Sequence, residues 1–143
     1  MANKLNGVWQ NGTLAASYLY NDQGIRVSQT ANGGNTTHYL IDANHQTGNA
    51  QVLEELATVG GTPSMSYVMG DEVLAQCGMT ATAPSYYLPD GHGSNRQLTQ
   101  LNGTVTSHYS YDAYGAVQPN TSSSTAEYAV NNNITSKLYC GEQ

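Results

Sequence analysis

Residues 18–27, YLYNDQGIRV, decide the fold that this sequence predicts. Asn21 and Gly24 stand at the first and fourth positions of a candidate type I turn. An Asn or Asp side chain in the first position accepts backbone N–H groups further along the turn. Glycine adopts the left-handed conformation that returns the chain as a bulged hairpin. The flanking Tyr, Ile and Val favour strands, so the stretch predicts strand, turn and strand.

Similar turn signals recur along the chain. The stretches 90–93 (DGHG) and 112–115 (DAYG) repeat the pattern of Asp in the first position and Gly in the fourth. Asn-Gly dipeptides accept positive φ at both positions and predict tight hairpin tips. The turn positions follow one another at intervals of ten to twelve residues in two series: Asn11, Asn21, Asn32 and Asp42, then Asp90, Asn102 and Asp112. This spacing predicts an all-β chain, an antiparallel meander of β-hairpins with open ends.

Alternation along the predicted strands assigns their faces, because successive side chains of a strand point to opposite sides. Three sets of residues each share a face: Val105, Ser107, Tyr109 and Tyr111; Tyr18 and Tyr20; and Ile25 and Val27. We expect tyrosines to line the packed face. Residues 52–56 (VLEEL) fit a short helix or an irregular strand, and the neighbouring strands favour the strand.

Size and charge limit the function classes. The chain has 143 residues, which predicts a single domain over residues 1–143. Its four basic residues and net charge of −6 give no footprint for binding nucleic acid. No run of residues is long and apolar enough for a membrane span, and residues 1–10 lack the features of a signal peptide. Cys77 and Cys140 lie in no metal-binding or redox motif, and we expect them to be thiols.

Residues 18–27 resemble the Tyr-x-Tyr-Asp-x-x-Gly-x-Arg repeat of the YD-repeat, or RHS, family. Further stretches are similar to the family core in the same order: 39–48 (YLIDANHQTG), 51–55, 67–70, 86–98 (YYLPDGHGSNRQL), 109–115 (YSYDAYG) and 139–143 (YCGEQ). The residues at the turn and repeat positions of this resemblance are Tyr18, Tyr20, Asn21, Gly24, Arg26, Tyr39, Asp42, Tyr87, Asp90, Gly91, Gly93, Arg96, Tyr109, Tyr111, Asp112, Gly115, Tyr139 and Gly141.

The resemblance implies a spiral sheet of β-hairpins, which in full-length relatives wraps a hollow shell around toxin polypeptides. It also implies an extracellular or cell-surface location. In the family, the core continues into an Arg- and Tyr-rich segment and a self-cleavage region with an Asp-Pro-x-Gly motif, which this sequence lacks. We therefore expect a non-enzymatic protein without a cofactor.

Three patterns suggest chemistry, and each has a simpler structural interpretation. Asp90, His92 and Ser94 offer an acid, a base and a nucleophile, but the turn accounts for more of the surrounding residues, with Gly91 and Gly93 permitting its backbone angles and Arg96 anchoring the next strand. A metal could bind His38, Asp42 and His45, although their spacing matches no zinc pattern. The Asn-x-Ser/Thr sites, which an Asn- and Thr-rich sequence produces by chance, begin at Asn11, Asn35, Asn102, Asn120 and Asn133.

Three function hypotheses remain. The first is a structural module that assembles head to tail through its strand edges, with residues 9–20 and 126–140 as the expected edges, because low charge leaves such edges unprotected. The second is a carbohydrate-binding module that stacks sugars on exposed tyrosines. The third is a fragment of a polymorphic-toxin delivery protein. The partners expected are other copies or neighbouring repeats, or a carbohydrate.

Overall fold

The computed structural model describes residues 4–31, 34–79, 81, 83–118 and 137. These residues form ten antiparallel strands and no helix, and the strand order is the order along the chain. The strands are β1 (Gly7–Gln10), β2 (Thr13–Tyr20), β3 (Arg26–Ala31), β4 (Thr36–Asp42), β5 (Gln51–Leu56), β6 (Pro63–Met69), β7 (Val73–Gly78), β8 (Ser85–Pro89), β9 (Asn95–Thr99) and β10 (Val105–His108). The predicted all-β meander is confirmed.

The chain divides into two compact units. Of the described residues, the first unit contains 4–67 with 78 and 79, and the second contains 68–77, 81, 83–118 and 137. Whether residues 1–143 fold as one domain stays a prediction. In the first unit, β1 to β5 pair in sequence, and β5 pairs with β6. In the second unit, β8 pairs with β7 on one side and β9 on the other, and β9 pairs with β10.

Alternation explains the faces of β2. Tyr18 and Tyr20 are half-buried, whereas Leu19 between them is 65% exposed. Residues 51–56 form β5, so the preference for a strand in this stretch is confirmed. Cys77 is present as a half-buried thiol near the end of β7. No helix long and apolar enough to cross a membrane occurs in the part of the chain that the structure describes.

The second unit has a small aromatic core. Tyr87, Leu98 and Tyr109 are buried together, and Val73 and Tyr111 pack against them at partial burial. Leu98 lies opposite Tyr87 on β8, and its other neighbour in the same row is Ser107 on β10. The shared face predicted for Ser107 and Tyr109 is therefore buried, as expected.

Candidate functional site

The turn at Asn21 takes the geometry that the sequence predicts. The Gly24 N–H donates to the Asn21 carbonyl at 3.0 Å, and the Asn21 N–H donates to the Ile25 carbonyl at 3.0 Å. The Asn21 side-chain oxygen accepts the Ile25 N–H at 2.8 Å. Gly24 has a φ of 76°, which is the left-handed region that glycine adopts at little cost. This is a type I turn closed by a glycine bulge.

The turn at Asp90 repeats these bonds and adds one. The Gly93 N–H donates to the Asp90 carbonyl, and the Asp90 N–H donates to the Ser94 carbonyl. One carboxylate oxygen of Asp90 accepts the N–H groups of His92 at 2.9 Å and Ser94 at 3.1 Å. Gly93 has a φ of 79°, but Gly91 does not have positive φ. Of the two glycines expected to permit the backbone angles of the turn, Gly93 therefore has the left-handed conformation and Gly91 does not.

The turn at Asp112 has the same arrangement. Its carboxylate oxygen accepts the N–H groups of Tyr114 at 2.8 Å and Ala116 at 2.9 Å. The Gly115 N–H donates to the Asp112 carbonyl, and Gly115 has a φ of 85°. An aspartate in the first position thus satisfies two N–H groups that the hairpin leaves unpaired. The sequence pattern and the geometry agree at all three of these turns.

The Asn-Gly dipeptides do not all behave alike. Asn11 and Gly12 both have positive φ, 52° and 78°, so this turn is the tight two-residue tip that the dipeptide predicts. Asn102 does not have positive φ, and the prediction of a tight tip there is wrong. The Gly103 N–H instead donates to the Gln100 carbonyl at 2.9 Å, which makes a bulged turn of the Asp90 kind. Here the Asn102 side chain accepts the Thr104 N–H at 3.0 Å.

The turn between β3 and β4 also joins the bulged class. The Ala31 N–H donates to the Asn35 carbonyl, and the Gly34 N–H donates to the Ala31 carbonyl, both at 3.1 Å. Gly34 has a φ of 87°. Asn32 and Gly33, where a tight tip was predicted, lie outside the described residues. Five turns in the described part of the chain therefore share one hydrogen-bond pattern, and three of them carry Asn or Asp in the first position.

Asp42 begins a longer loop than its place in the series predicts. It pairs with Gln51 at the ends of β4 and β5, so residues 43–50 form the connection. Its carboxylate accepts the Asn44 N–H at 3.0 Å. The residue with positive φ is Gly48, whose N–H donates to the His45 carbonyl. The resemblance at residues 39–48 therefore corresponds to a different turn geometry from that of residues 18–27.

Cations stack on the tyrosines of the first unit. The Arg26 guanidinium lies 5.6 Å from the ring centres of both Tyr18 and Tyr39. The Lys4 ammonium lies 5.8 Å from the ring centre of Tyr20, whose hydroxyl donates to the Leu5 carbonyl at 2.8 Å. Burial raises the pKa of the Tyr39 phenol, although Arg26 opposes this shift. Arg26 on β3 therefore contacts tyrosines of both flanking strands, β2 and β4.

A similar contact occurs at the Asp90 turn. The Arg96 Nε donates to the Asp90 carboxylate at 2.8 Å, and the guanidinium lies 5.3 Å from the ring centre of Tyr111. The Tyr111 hydroxyl donates to the Asn95 carbonyl at 2.6 Å. The His92 N–H and Arg96 hold the pKa of the Asp90 carboxyl below its ordinary value. Burial raises the pKa of Tyr111 to about 12.

The sequence reasoning did not find the buried polar residues of the second unit. Asn95 is 2% exposed, and its side-chain amide donates to the Lys137 carbonyl at 2.7 Å. Gln76 is 3% exposed and accepts a hydrogen bond from the Tyr87 hydroxyl. The partners of these bonds are 42 and 11 residues apart in sequence, so no local pattern indicates them.

The residues of the predicted triad and of the predicted metal site have structural contacts instead. The Asp90 carboxylate is bonded to its own turn and to Arg96, which leaves the triad hypothesis without a contact between Asp90 and the His92 ring. The His45 ring bonds the Thr47 hydroxyl at 3.0 Å. No group of three or more His, Cys, Asp or Glu residues that could hold a metal occurs among the described residues.

The outer strand of the first unit is β1. It pairs with β2, whereas β2 pairs with both β1 and β3, so the predicted edge holds for residues 9 and 10 and fails for residues 13–20. Trp9 is 63% exposed and lies over Gly7, where an added Cβ would lie 2.7 Å from the indole ring. The other predicted edge at residues 126–140, and the motif residues Tyr139 and Gly141, lie outside the described part of the chain.

No protein-family model matches this chain, and no curated protein matches it. The YD-repeat resemblance therefore stays a prediction that rests on the quoted motifs.

Proposed function

We propose that this chain is a non-enzymatic structural module of the YD-repeat type. Its role is to extend a β-sheet, either in an RHS-type shell around other polypeptides or in an extracellular head-to-tail assembly of copies of itself. Its partners are other copies of the chain or neighbouring YD repeats. In this proposal the side chains that could take part in catalysis or metal binding serve instead to hold turns and strands in place.

The contacts of the repeat residues support this role. Asp90 is bonded to two N–H groups of its turn and to Arg96, and Arg96 also stacks on Tyr111. Arg26 stacks on Tyr18 and Tyr39 in the same manner. Charge-assisted hydrogen bonds and cation–π contacts of this kind fix geometry. A catalytic group needs instead to face a substrate in a pocket, which favours the structural role.

The uncharged outer strand β1 is the observation that carries the proposal. Residues 5–20 contain no charged side chain, and β1 contains no proline. Val8 and Trp9 on this strand are 38% and 63% exposed. Native proteins usually protect an outer strand with Lys, Pro, a bulge or a covering element, because its unpaired N–H and C=O groups recruit further strands. Among the residues that the structure describes, the register shift between Val8 and Trp9 is the one such device on β1.

The carbohydrate hypothesis has less support at the tyrosines of the repeat. Arg26, Lys4 and Arg96 each lie over a tyrosine ring and so occupy one of the faces on which a sugar stacks. Tyr114, which is 95% exposed, is the aromatic residue most open to a ligand among those described. The origin of the chain as a fragment of a toxin-delivery protein is compatible with the same fold and stays an open proposal.

A charge on the outer strand tests the proposal. Val8→Lys places an ammonium on β1, where it opposes pairing with a further strand. We expect the unmodified protein to form multimers, filaments or rings as its concentration rises, and Val8→Lys to move this association to concentrations about tenfold higher or more. Size-exclusion chromatography with light scattering measures the mass, and negative-stain electron microscopy shows the form.

Leu101→Lys is the matched control. Leu101 is 82% exposed in the turn between β9 and β10, so the substitution adds the same charge away from the outer strand. We expect this variant to associate like the unmodified protein. A protein that stays monomeric at all concentrations contradicts self-assembly, and equal effects of the two lysines contradict the role of β1.

A further inference from the structure

The first unit contains a groove of about 580 Å³, which is in the range of small-molecule sites. Its surface is mostly apolar, and five aliphatic residues line it: Leu19, Val27, Leu40, Leu56 and Val59. Its polar residues include Ser28, His38, Tyr39 and Glu54. Apolar walls with few polar groups are typical of sites that bind small organic molecules. No residue of the groove takes part in the β1 edge, so the site is independent of the proposed assembly.

A row of opposed residues explains the shape of the groove. Leu19, Ser28, His38 and Leu56 lie opposite one another in register across β2, β3, β4 and β5. Neighbours in such a row have Cβ atoms about 5 Å apart and share one face of the sheet. Ser28 is much smaller than Leu19 and His38 on either side of it, and it is 3% exposed. The small serine therefore leaves space between its larger neighbours and forms the floor.

A fixed turn forms one end of the groove. The Gly61 N–H donates to the Thr58 carbonyl at 3.0 Å, and Gly60 has a φ of 72°. A Cβ added to Gly61 would lie 2.4 Å from the Thr58 hydroxyl, so the close approach requires glycine. The turn holds Val59 at the rim, where it is 80% exposed. The two glycines thus place the Val59 side chain at the rim of the groove, where most of its surface stays exposed.

The groove has one acidic residue. Glu54 lies directly opposite Leu40, and both line the groove. Glu54 forms no ion pair with any of the described residues. A carboxylate beside an apolar surface favours a ligand that combines a cation with a hydrocarbon body, because the two groups are satisfied together. A neutral or anionic ligand of the same shape lacks this advantage.

We propose that this groove binds a small organic ammonium ion with an aliphatic body. The hydrocarbon lies along Leu19, Leu40 and Leu56, and the ammonium pairs with Glu54. The test uses n-hexylamine, which is an ammonium ion at neutral pH, with n-hexanol and hexanoate as neutral and anionic probes of the same length. Each is titrated into protein with ¹³C-labelled leucine methyl groups, and chemical shifts give the site and the affinity.

We expect the methyl groups of Leu19, Leu40 and Leu56 to shift with hexylamine, while those of Leu101 remain in place. Hexylamine should bind about fivefold more tightly than hexanol, because a partly exposed ion pair contributes a difference of about this size. Glu54→Gln should abolish this preference and leave the affinity for hexanol unchanged. Glu72→Gln, which removes the same charge at an exposed residue of the second unit, should change neither affinity. Val59→Ser, at an exposed position that tolerates a polar side chain, should weaken both probes by the same factor.

Several results would overturn the proposal. Equal affinities for hexylamine and hexanol, or the same loss in Glu54→Gln and Glu72→Gln, show that Glu54 does not select a cation. Shifts confined to residues outside the groove show that the ligand binds elsewhere. Shifts of the groove methyl groups that depend on protein concentration without any probe show that a second copy of the chain occupies the groove.

Discussion

The two units are built from the same turns but differ in how well their side chains pack. In the first unit, the turns at Asn21 and Gly34 support strands whose row of opposed residues has a small serine, Ser28, in the middle. In the second unit, the corresponding row has Leu98 between Tyr87 and Ser107. The first arrangement leaves an open groove, and the second buries a core. Turn chemistry therefore sets the path of the strands, whereas the residue in the middle of a row sets the packing.

Truncation of Leu98, the middle residue of the buried row, should give the largest effect and so tests the difference in packing most strongly. Leu98→Ala removes a side chain that is 0% exposed and should lower the free energy of unfolding by about 2–5 kcal/mol, because it leaves a cavity in the core. Leu40→Ala in the first unit is the control, since Leu40 is 49% exposed and should lose about 1 kcal/mol or less. Urea denaturation followed by circular dichroism measures both. Equal losses would contradict the difference in packing.

The next largest expected loss of stability comes from substitution of Gly93 in the Asp90 turn, with Gly91 in the same turn for comparison. Gly93 has a φ of 79°, so Gly93→Ala should destabilise the protein by about 1–2 kcal/mol through backbone strain alone. No atom lies within 4 Å of a Cβ added at either Gly91 or Gly93, so steric contacts do not complicate the comparison.

Gly91→Ala is the matched control, because Gly91 does not have positive φ. We expect a change within about 0.5 kcal/mol, or a slight stabilisation from the lower entropy of the unfolded chain. Thermal and urea unfolding of the two variants measure the difference. A loss for Gly91→Ala as large as that for Gly93→Ala would show that the turn needs both glycines.

The turn signals are the part of the fold that the sequence predicts well. An Asn or Asp in the first position and a Gly in the fourth are local features, and the bonds that they predict occur at Asn21, Asp90 and Asp112. The resulting hairpins make an antiparallel meander the expected order of strands. The sequence also singles out Arg26, Arg96 and several tyrosines, although it does not specify which ring each cation contacts.

The sequence did not predict features that depend on partners distant along the chain. One miss is local: Asn102-Gly103 lies in a bulged turn, since the Gln100 N–H donates to the Thr104 carbonyl and Leu101 joins the loop as a third residue. The buried amides of Gln76 and Asn95 depend on residues 11 and 42 positions away. The groove arises from the register of four strands, which a single strand's alternation does not reveal.

Alkaline titration tests the burial of Tyr111 in the second unit, because its pKa lies above that of an exposed tyrosine. Burial raises the pKa of Tyr111 to about 12 from an ordinary value of 10.0, so folding favours the neutral phenol. This contribution to stability is complete below about pH 10 and is lost as the pH rises towards 12. We expect the absorbance of phenolate to include a component that titrates near pH 12, and Tyr111→Phe to reduce that component by one tyrosine. Titration of Tyr111 near pH 10 would contradict its burial.

The smallest expected effect is on the acid dependence of unfolding, and it compares the Asp90 turn of the second unit with the Asn21 turn of the first. The pKa of Asp90 is lowered by bonds from the His92 N–H and from Arg96, so its contribution to stability is present above its ordinary pKa and is lost as the pH falls through the folded value. Asn21 supports the same kind of turn with an amide that does not titrate. Asp90→Asn should therefore remove part of the acid dependence of unfolding without breaking the turn. The slope of the unfolding midpoint against pH measures this, and an unchanged slope would contradict it.

Amide hydrogen exchange of β1 tests the central claim that this chain acts through its outer strand. The exchange of Gly7, Val8, Trp9 and Gln10 is measured residue by residue in dilute and in concentrated protein, with the β9 amides as an internal reference. If a further strand pairs with β1, the outward-facing N–H groups of this strand become protected as concentration rises, and the amides of β9 keep the same rates. Rates in β1 that do not change with concentration, in a sample that light scattering shows to be associated, would contradict the claim.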